Sequence, residues 1–324
     1  LNLGSDSSVT NNLQVNLSSL ANSGTVSVNT GNGGTRTVNG DVANTSAGVI
    51  NLVDSNLTIA DDDGINNSGT LSLGAGLSLT VQSTSSTAFN QSAGAINFST
   101  GANIDVGSQD FVWSAGSLNG AGSVNGNTVF ATGVKTLDGA SISVGDATLA
   151  SGSSLSLLSG SLSSGGSTFT VNNGADLFVA SNALSSLALT NSGEVDLLNG
   201  AVLTGDVNNN SAGVVNVKAT EATNATVSLG VVTNNAGANF NLGSDSSTAN
   251  NVQLTLTSLT NDGTVSVTAG NGGSRTISGD VINASGATLQ LIDSDLSLSD
   301  VDGLTNSGNL TISDGLSLFV NSSS

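Results

Sequence analysis

A short repeat with a fixed period is the feature of this sequence that most limits its fold. A turn of the form Asn-x-Gly or Ser-Ala-Gly recurs, in most cases every 20 to 26 residues, and alternating apolar residues follow it. Alternation with a period of two indicates a β-strand with one buried face. The turn glycines are Gly24, Gly48, Gly69, Gly94, Gly116, Gly193, Gly213, Gly237, Gly263, Gly286 and Gly308.

The residues two and four positions after each turn glycine are predicted to point inward. In eight of the eleven units both are large and apolar, and no segment has helical periodicity. Two or three short strands make one coil of a β-helix, which buries its apolar face only by stacking on the next coil. We therefore predict an all-β fold, a parallel β-helix (β-solenoid) of about 15 coils of roughly 22 residues. The inward pairs include Val26/Val28, Ile50/Leu52, Leu71/Leu73, Ile96/Phe98, Val195/Leu197 and Leu310/Ile312.

A second, longer repeat lies over the short one. Residues 240–324 repeat residues 1–85 without a gap, and 48 of the 85 aligned positions are identical. We predict a single continuous solenoid over 1–324, with 1–239 as the first long repeat unit and 240–324 as the start of the second. Because the second copy stops within a unit, we expect a longer parent chain and self-association of the chain, end to end or lateral.

The composition removes several classes of site and partner. The chain has no Cys and no His, which excludes a disulfide scaffold, thiolate or imidazole metal sites and a Ser-His-Asp triad. The chain has 4 Lys and Arg residues and 23 Asp and Glu residues. Because binding to nucleic-acid phosphates needs Lys and Arg, no nucleic-acid partner is expected. No apolar stretch approaches the ~20 residues of a transmembrane segment. The absence of Pro fits strands that are hydrogen-bonded on both sides.

Asparagine and the aromatic residues give more detail about the interior. Asparagine tolerates left-handed geometry at corners, and stacked copies can form side-chain amide ladders. The aromatic residues concentrate between positions 89 and 178, where we predict a wider or differently shaped core. They are Phe89, Phe98, Phe111, Trp113, Phe130, Phe169 and Phe178.

Bunched aspartates give the only candidate metal site. Carboxylates in a turn can bind Ca²⁺, which takes six to eight oxygen ligands. The remainder of an EF-hand loop is absent, so solvated turn carboxylates are the favoured interpretation. Apart from this candidate calcium, no cofactor is expected. The candidate calcium ligands are Asp61 and Asp63, followed by Gly64, and their duplicates Asp300 and Asp302.

Two arginines and one aromatic tripeptide have both functional and structural interpretations. Arg36 and Arg275 are equivalent in the long repeat, and each is followed five residues later by Asp41 or Asp280. The arginines are either ligand contacts or, as we favour, members of ion pairs with a modest effect on stability. The tripeptide Phe111-Val112-Trp113 is either a sugar-stacking patch or, as we favour, part of the core.

The repeated units also carry a family resemblance. The segments NSGTVSV (22–28), NSGTLSL (67–73), SAGVVNV (211–217) and TNSGNLTI (305–312) resemble those of autotransporter adhesin passengers and filamentous haemagglutinin-like exoproteins. The resemblance extends over nearly the whole chain. It implies a right-handed parallel β-helix on the outside of a bacterium.

These observations predict a structural or adhesive shaft of a very large extracellular bacterial surface protein or filament, without catalysis. One alternative is a solenoid module that binds a glycan or a cell, with a host or bacterial cell-surface glycan as its partner. A second is a tailspike-like polysaccharide hydrolase, which needs two carboxylates at a suitable separation. Asp61/Asp63 and Asp293/Asp295 are the dense pairs that such an enzyme would require.

Overall fold

The structure is a computed structural model, and its described residues cover most of the chain. They are 1–4, 10–29, 34–60, 62–164, 168–180, 184–185, 187–220, 223–244, 249–268, 272–299 and 303–321.

The described residues form strands and turns and contain no helix. The strands of the first half are β1 Asn2–Leu3, β2 Leu13–Asn22, β3 Thr25–Val28, β4 Arg36–Asn44, β5 Val49–Leu52, β6 Leu57–Ala60, β7 Ile65–Asn67, β8 Thr70–Leu73, β9 Ser78–Gln82, β10 Thr87–Gln91, β11 Ala95–Phe98, β12 Asn103–Trp113, β13 Gly116–Gly120, β14 Ser123–Phe130, β15 Val134–Val144 and β16 Ala147–Leu149. Those of the second half are β17 Ser154–Ser164, β18 Thr168–Val171, β19 Asp176–Val179, β20 Leu184–Ser185, β21 Ala188–Asn191, β22 Glu194–Leu197, β23 Val202–Leu203, β24 Val207–Asn209, β25 Val214–Ala219, β26 Ala225–Leu229, β27 Val231–Asn234, β28 Asn239–Ser244, β29 Val252–Asn261, β30 Thr264–Val267, β31 Arg275–Asn283, β32 Thr288–Leu291, β33 Leu296–Ser299, β34 Leu304–Asn306, β35 Asn309–Ile312 and β36 Leu318–Asn321.

The chain divides into two compact units. The first contains Leu1–Ala147 and Ser159–Ser163, and the second contains Thr148–Leu158 and Ser164–Ser324. Each is a parallel β-solenoid, because every strand of a turn pairs in parallel with a strand of the next turn. In the first unit the three ladders run β1-β3-β5-β8-β11-β13-β15, β2-β4-β7-β10-β12-β14 and β4-β6-β9-β12.

The second unit repeats this plan with three ladders of its own. They run β17-β19-β22-β25-β28-β30-β32-β35, β18-β21-β24-β27-β29-β31-β34 and β23-β26-β29-β31-β33-β36. The long strands β29 and β31 each belong to two ladders. A register shift in β29 between Thr255 and Ser258 separates the part that pairs in one ladder from the part that pairs in the other.

Apolar columns fill the interior of each unit, since strand partners place like residues above one another. The column in the second unit contains Leu155, Leu177, Val195, Val215, Phe240, Val265, Leu289 and Leu310. The predicted inward orientation is confirmed at Val26 and its duplicate Val265, which are both buried. Leu310 and Ile312 were also expected to be buried, but they are 38% and 39% exposed. Among the described strands, β35 pairs only with β32.

The predicted all-β parallel solenoid is thus confirmed. The described residues make about 13 turns, somewhat fewer than 15, because stacked equivalents are separated by as many as 25 and 27 residues at several turns. The right-handed sense stays a prediction. In the part of the chain that the structure describes, no helix is long and apolar enough to cross a membrane.

Candidate functional site

The feature that most distinguishes the interior of the first unit is a ladder of buried side-chain amides. Asn22 Nδ2 donates to Asn44 Oδ1 at 2.8 Å, Asn44 Nδ2 donates to Asn67 Oδ1 at 2.7 Å, and Asn67 Nδ2 donates to Gln91 Oε1 at 2.7 Å. Each of these bonds joins one turn to the next. The amide ladder expected from stacked asparagines is therefore present.

The second unit has a longer ladder of the same kind. Each member before the last donates from Nδ2 to the Oδ1 of the next at 2.7 to 2.9 Å, and these five donors also each donate to a backbone carbonyl oxygen. Since a buried polar group costs free energy unless it is hydrogen-bonded, these paired bonds explain how so many amides lie inside. The buried members are Asn191, Asn209, Asn234, Asn261 and Asn283, and the exposed Asn306 ends the ladder.

The amide ladder gives the turn motif of the sequence its physical meaning. In the Asn-Ser-Gly turn at 67–69 the asparagine is a ladder member, and the glycine two residues later lies against the backbone of the preceding turn. A Cβ at Gly69 would collide with the carbonyl oxygens of Gly48 and Thr45. The number of residues between successive turn motifs is therefore the number between successive members of the amide ladder.

Aromatic side chains take the place of the amides further along the first unit. Strand pairing places Trp113 next to Gln91 and Phe130 next to Trp113, and the Trp113 and Phe130 rings lie 5.9 Å apart. Trp113 and Phe111 are both fully buried, so the core interpretation of the Phe111-Val112-Trp113 tripeptide is confirmed. The Nε1 of Trp113 is buried and has no hydrogen-bond partner.

The two equivalent arginines are buried, and each holds loop carbonyls; the expected ion pairs with Asp41 and Asp280 stay a prediction. Arg36 and Arg275 are each about 1% exposed. Arg36 Nε donates to the Asn29 carbonyl at 2.9 Å, and Arg275 Nε donates to the Thr268 carbonyl at 2.7 Å. Burial lowers the pKa of Arg275, and the charge of Asp293 opposes this shift. The guanidinium groups hold loop carbonyls, which gives them a structural role.

Lys135 is a buried cation that the sequence pattern did not predict. Its side chain lies in the interior of the first unit, where Nζ donates to the Gly133 carbonyl at 2.9 Å. Desolvation lowers the pKa of Lys135 from its usual 10.5 to about 8. The charged form is therefore less favourable in the folded protein than in the unfolded chain.

This shift makes the stability of the protein depend on alkaline pH. Between pH 8 and pH 10.5 the unfolded chain binds more protons at Lys135 than the folded protein does, so the free energy of unfolding rises with pH across this window. We expect a rise of about 2 to 3 kcal/mol. In Lys135→Met this rise is absent and stability at pH 7 is higher. Urea unfolding of both proteins at pH 7, 9 and 10.5 measures the difference, and an equal rise in the variant would contradict the assignment.

The candidate calcium ligands lie largely outside the described residues: Asp61, Asp300 and Asp302 are among those not described. Asp63 is exposed, and Gly64, with φ of 73°, follows it in the turn. In the described segments no group of three or more His, Cys, Asp or Glu residues is arranged to hold a metal ion. Calcium binding stays a prediction.

The Asp293/Asp295 pair proposed for hydrolysis lies beside Arg275. Both aspartates are exposed, and Asp295 Oδ1 accepts a hydrogen bond from the Ser317 amide at 2.7 Å. They line a groove of about 520 Å³ with Arg275. The first long repeat has the equivalent groove, of about 340 Å³, beside Arg36 and Asp54.

The structure has one outward-facing groove that the sequence pattern did not predict. It has a volume of about 260 Å³ and lies in the second unit. Phe178, grouped above with the core aromatics, points out of the sheet: β19 alternates, with Leu177 and Val179 buried and Asp176 and Phe178 facing outward. That expectation is corrected. The alternation was already visible in the sequence, because Phe178 lies between two inward apolar residues.

Comparisons with known proteins give one similar structure. No protein-family model and no curated protein matches the sequence. A crystal structure of a TibC-catalysed hyper-glycosylated fragment of TibA shares 16% sequence identity. The similarity covers 99% of this chain and 96% of the other, with a TM-score of 0.27.

Proposed function

We propose that this chain is a structural and adhesive shaft segment of a very large extracellular bacterial surface protein or filament, and that it is not an enzyme. The observation that carries the proposal is the run of buried amide bonds from turn to turn. Apolar columns accompany this run in the same interior. Such an interior makes the solenoid stiff, because each turn is hydrogen-bonded to its neighbour through both backbone and side chains.

The proposal includes a continuous, right-handed solenoid through residues 1–324, built from the long repeat units 1–239 and 240–324. It also includes association between copies of the chain, end to end or lateral. The resemblance of the repeated units to autotransporter and haemagglutinin-like exoproteins supports an extracellular location. The lack of Pro agrees with a repetitive β-structure whose strands are hydrogen-bonded on both sides.

Single-molecule pulling tests the mechanical role. The chain is placed between two reference domains of known unfolding force, and a Gly/Ser linker of 324 residues replaces it in the control. A flexible linker extends as a random coil, whereas we expect the solenoid to resist and then release turns in discrete steps. Extension without resistance, as in the linker, would reject the shaft.

Reducing-sugar release tests the absence of catalysis. We expect the purified chain to release no more reducing ends from a panel of neutral and acidic polysaccharides than a buffer control. Release in proportion to protein concentration would favour the hydrolase. Asp293→Asn and Asp295→Asn would then identify the carboxylates responsible.

A further inference from the structure

We infer that the outward groove around Phe178 binds a neutral saccharide. This inference goes beyond the proposed mechanical role, because it assigns a ligand to one face of the second unit. The lining residues that face outward include Ser156, Asp176, Phe178, Glu194 and Asp196.

The floor of the groove comes from the sheet register. Parallel pairing stacks Ser156, Phe178, Asp196 and Asn216 in one outward column. The small side chain of Ser156 leaves space above the ring of Phe178, and Asp196 lies on the other side of it. A half-buried aromatic ring in this position offers an apolar face to a ligand that lies across the sheet.

The carboxylates beside the ring are held in place by their neighbours. Asn216 Nδ2 donates to Glu194 Oε1 at 2.9 Å and to Asp196 Oδ1 at 2.8 Å. Lys218 Nζ donates to Asp196 Oδ2 at 3.0 Å, and Asn241 Nδ2 donates to Asn216 Oδ1 at 2.8 Å. Because the carboxylates are positioned before a ligand arrives, less conformational entropy is lost on binding.

The chemistry of the groove selects the ligand class. Carboxylate oxygens accept hydrogen bonds, and an ionised carboxylate has more acceptor sites than its neighbours occupy here. A pyranose ring supplies a matching set: C–H groups that pack on an aromatic face, and hydroxyl groups that donate to carboxylates. Asp176, Glu194 and Asp196 outnumber the single cation Lys218, so an acidic sugar would be repelled. The volume of about 260 Å³ is slightly below the ~300–1,000 Å³ of drug-sized sites, which fits one sugar ring.

A glycan array and saturation-transfer NMR test the inference on the full 324-residue chain. The NMR probes are maltotriose, cellotriose and N,N′,N″-triacetylchitotriose, with sialyllactose as the acidic comparison. We expect binding to at least one neutral probe, with saturation strongest at ring C–H protons. Phe178→Ala and Asp196→Asn are each expected to weaken that binding at least tenfold.

Two matched variants separate the groove from general effects. Phe319→Ala removes another exposed aromatic residue of the second unit, and Asp262→Asn neutralises another exposed carboxylate. Both are expected to bind as the unaltered chain does, and circular dichroism confirms the fold of all four variants. Absence of binding to every neutral probe, a preference for sialyllactose, or equal losses in Phe178→Ala and Phe319→Ala would overturn the inference. None of these outcomes bears on the pulling experiment, so the two proposals fail independently.

Discussion

Replacement of Gly69 by Ala is expected to destabilise the first unit by about 3 kcal/mol. Gly69 ends an Asn-Ser-Gly turn, and a Cβ at this position would collide with the carbonyl oxygens of Gly48 and Thr45. Those atoms belong to the backbone of the preceding turn and cannot rotate away. The Gly48 oxygen also accepts the Thr70 amide at 2.9 Å, so a shift there weakens the strand ladder.

Gly24 is the matched control for this substitution. It ends the same Asn-Ser-Gly turn in the same unit, but a Cβ there would meet no heavy atom within 4 Å. We expect Gly24→Ala to change the free energy of unfolding by no more than about 0.5 kcal/mol. Urea denaturation followed by circular dichroism gives both values. Similar values for Gly24→Ala and Gly69→Ala would show that the close approach of successive turns does not explain the motif.

The repeating turn motif predicted much of the fold because each of its positions has a physical role. The asparagine supplies the interior amide and the glycine permits close approach. The residues two and four positions later supply the apolar column. Period-two alternation at Val26 and Val28 was therefore enough to place both side chains inside. The same alternation, applied to Leu177 and Val179, would have placed Phe178 outside.

Other features could not be predicted from the sequence because they depend on the path of the loops. The guanidinium of Arg36 is buried because the carbonyls of Asn11, Asn29 and Thr35 converge on it. Nothing in the order of the residues shows this convergence. Lys135 is similar, since its inward orientation is visible only in the alternation of β15. The outer groove also needed the strand register, which brings Asp196 next to Phe178 across a turn.

Asn209 and Asn208 provide the pair of variants that tests whether the amide ladder holds the turns together. They are adjacent on β24, where Asn209 faces inward and is fully buried and Asn208 faces outward and is exposed. Asn209 accepts a hydrogen bond from Asn191 at 2.9 Å and donates to Asn234 Oδ1 at 2.8 Å and to the Asn239 carbonyl at 2.9 Å. Asn208 accepts one exposed bond from Asn235.

The most direct measurement is the free energy of unfolding of Asn209→Ala beside that of Asn208→Ala, from urea denaturation at pH 7. Removal of the Asn209 amide leaves a buried Asn234 oxygen and the Asn239 carbonyl without that donor, and each lost buried partner costs about 1 to 3 kcal/mol. We predict a loss of about 4 kcal/mol for Asn209→Ala and no more than about 0.5 kcal/mol for Asn208→Ala. Equal, small losses in the two variants would contradict the claim that buried amide ladders hold the turns together.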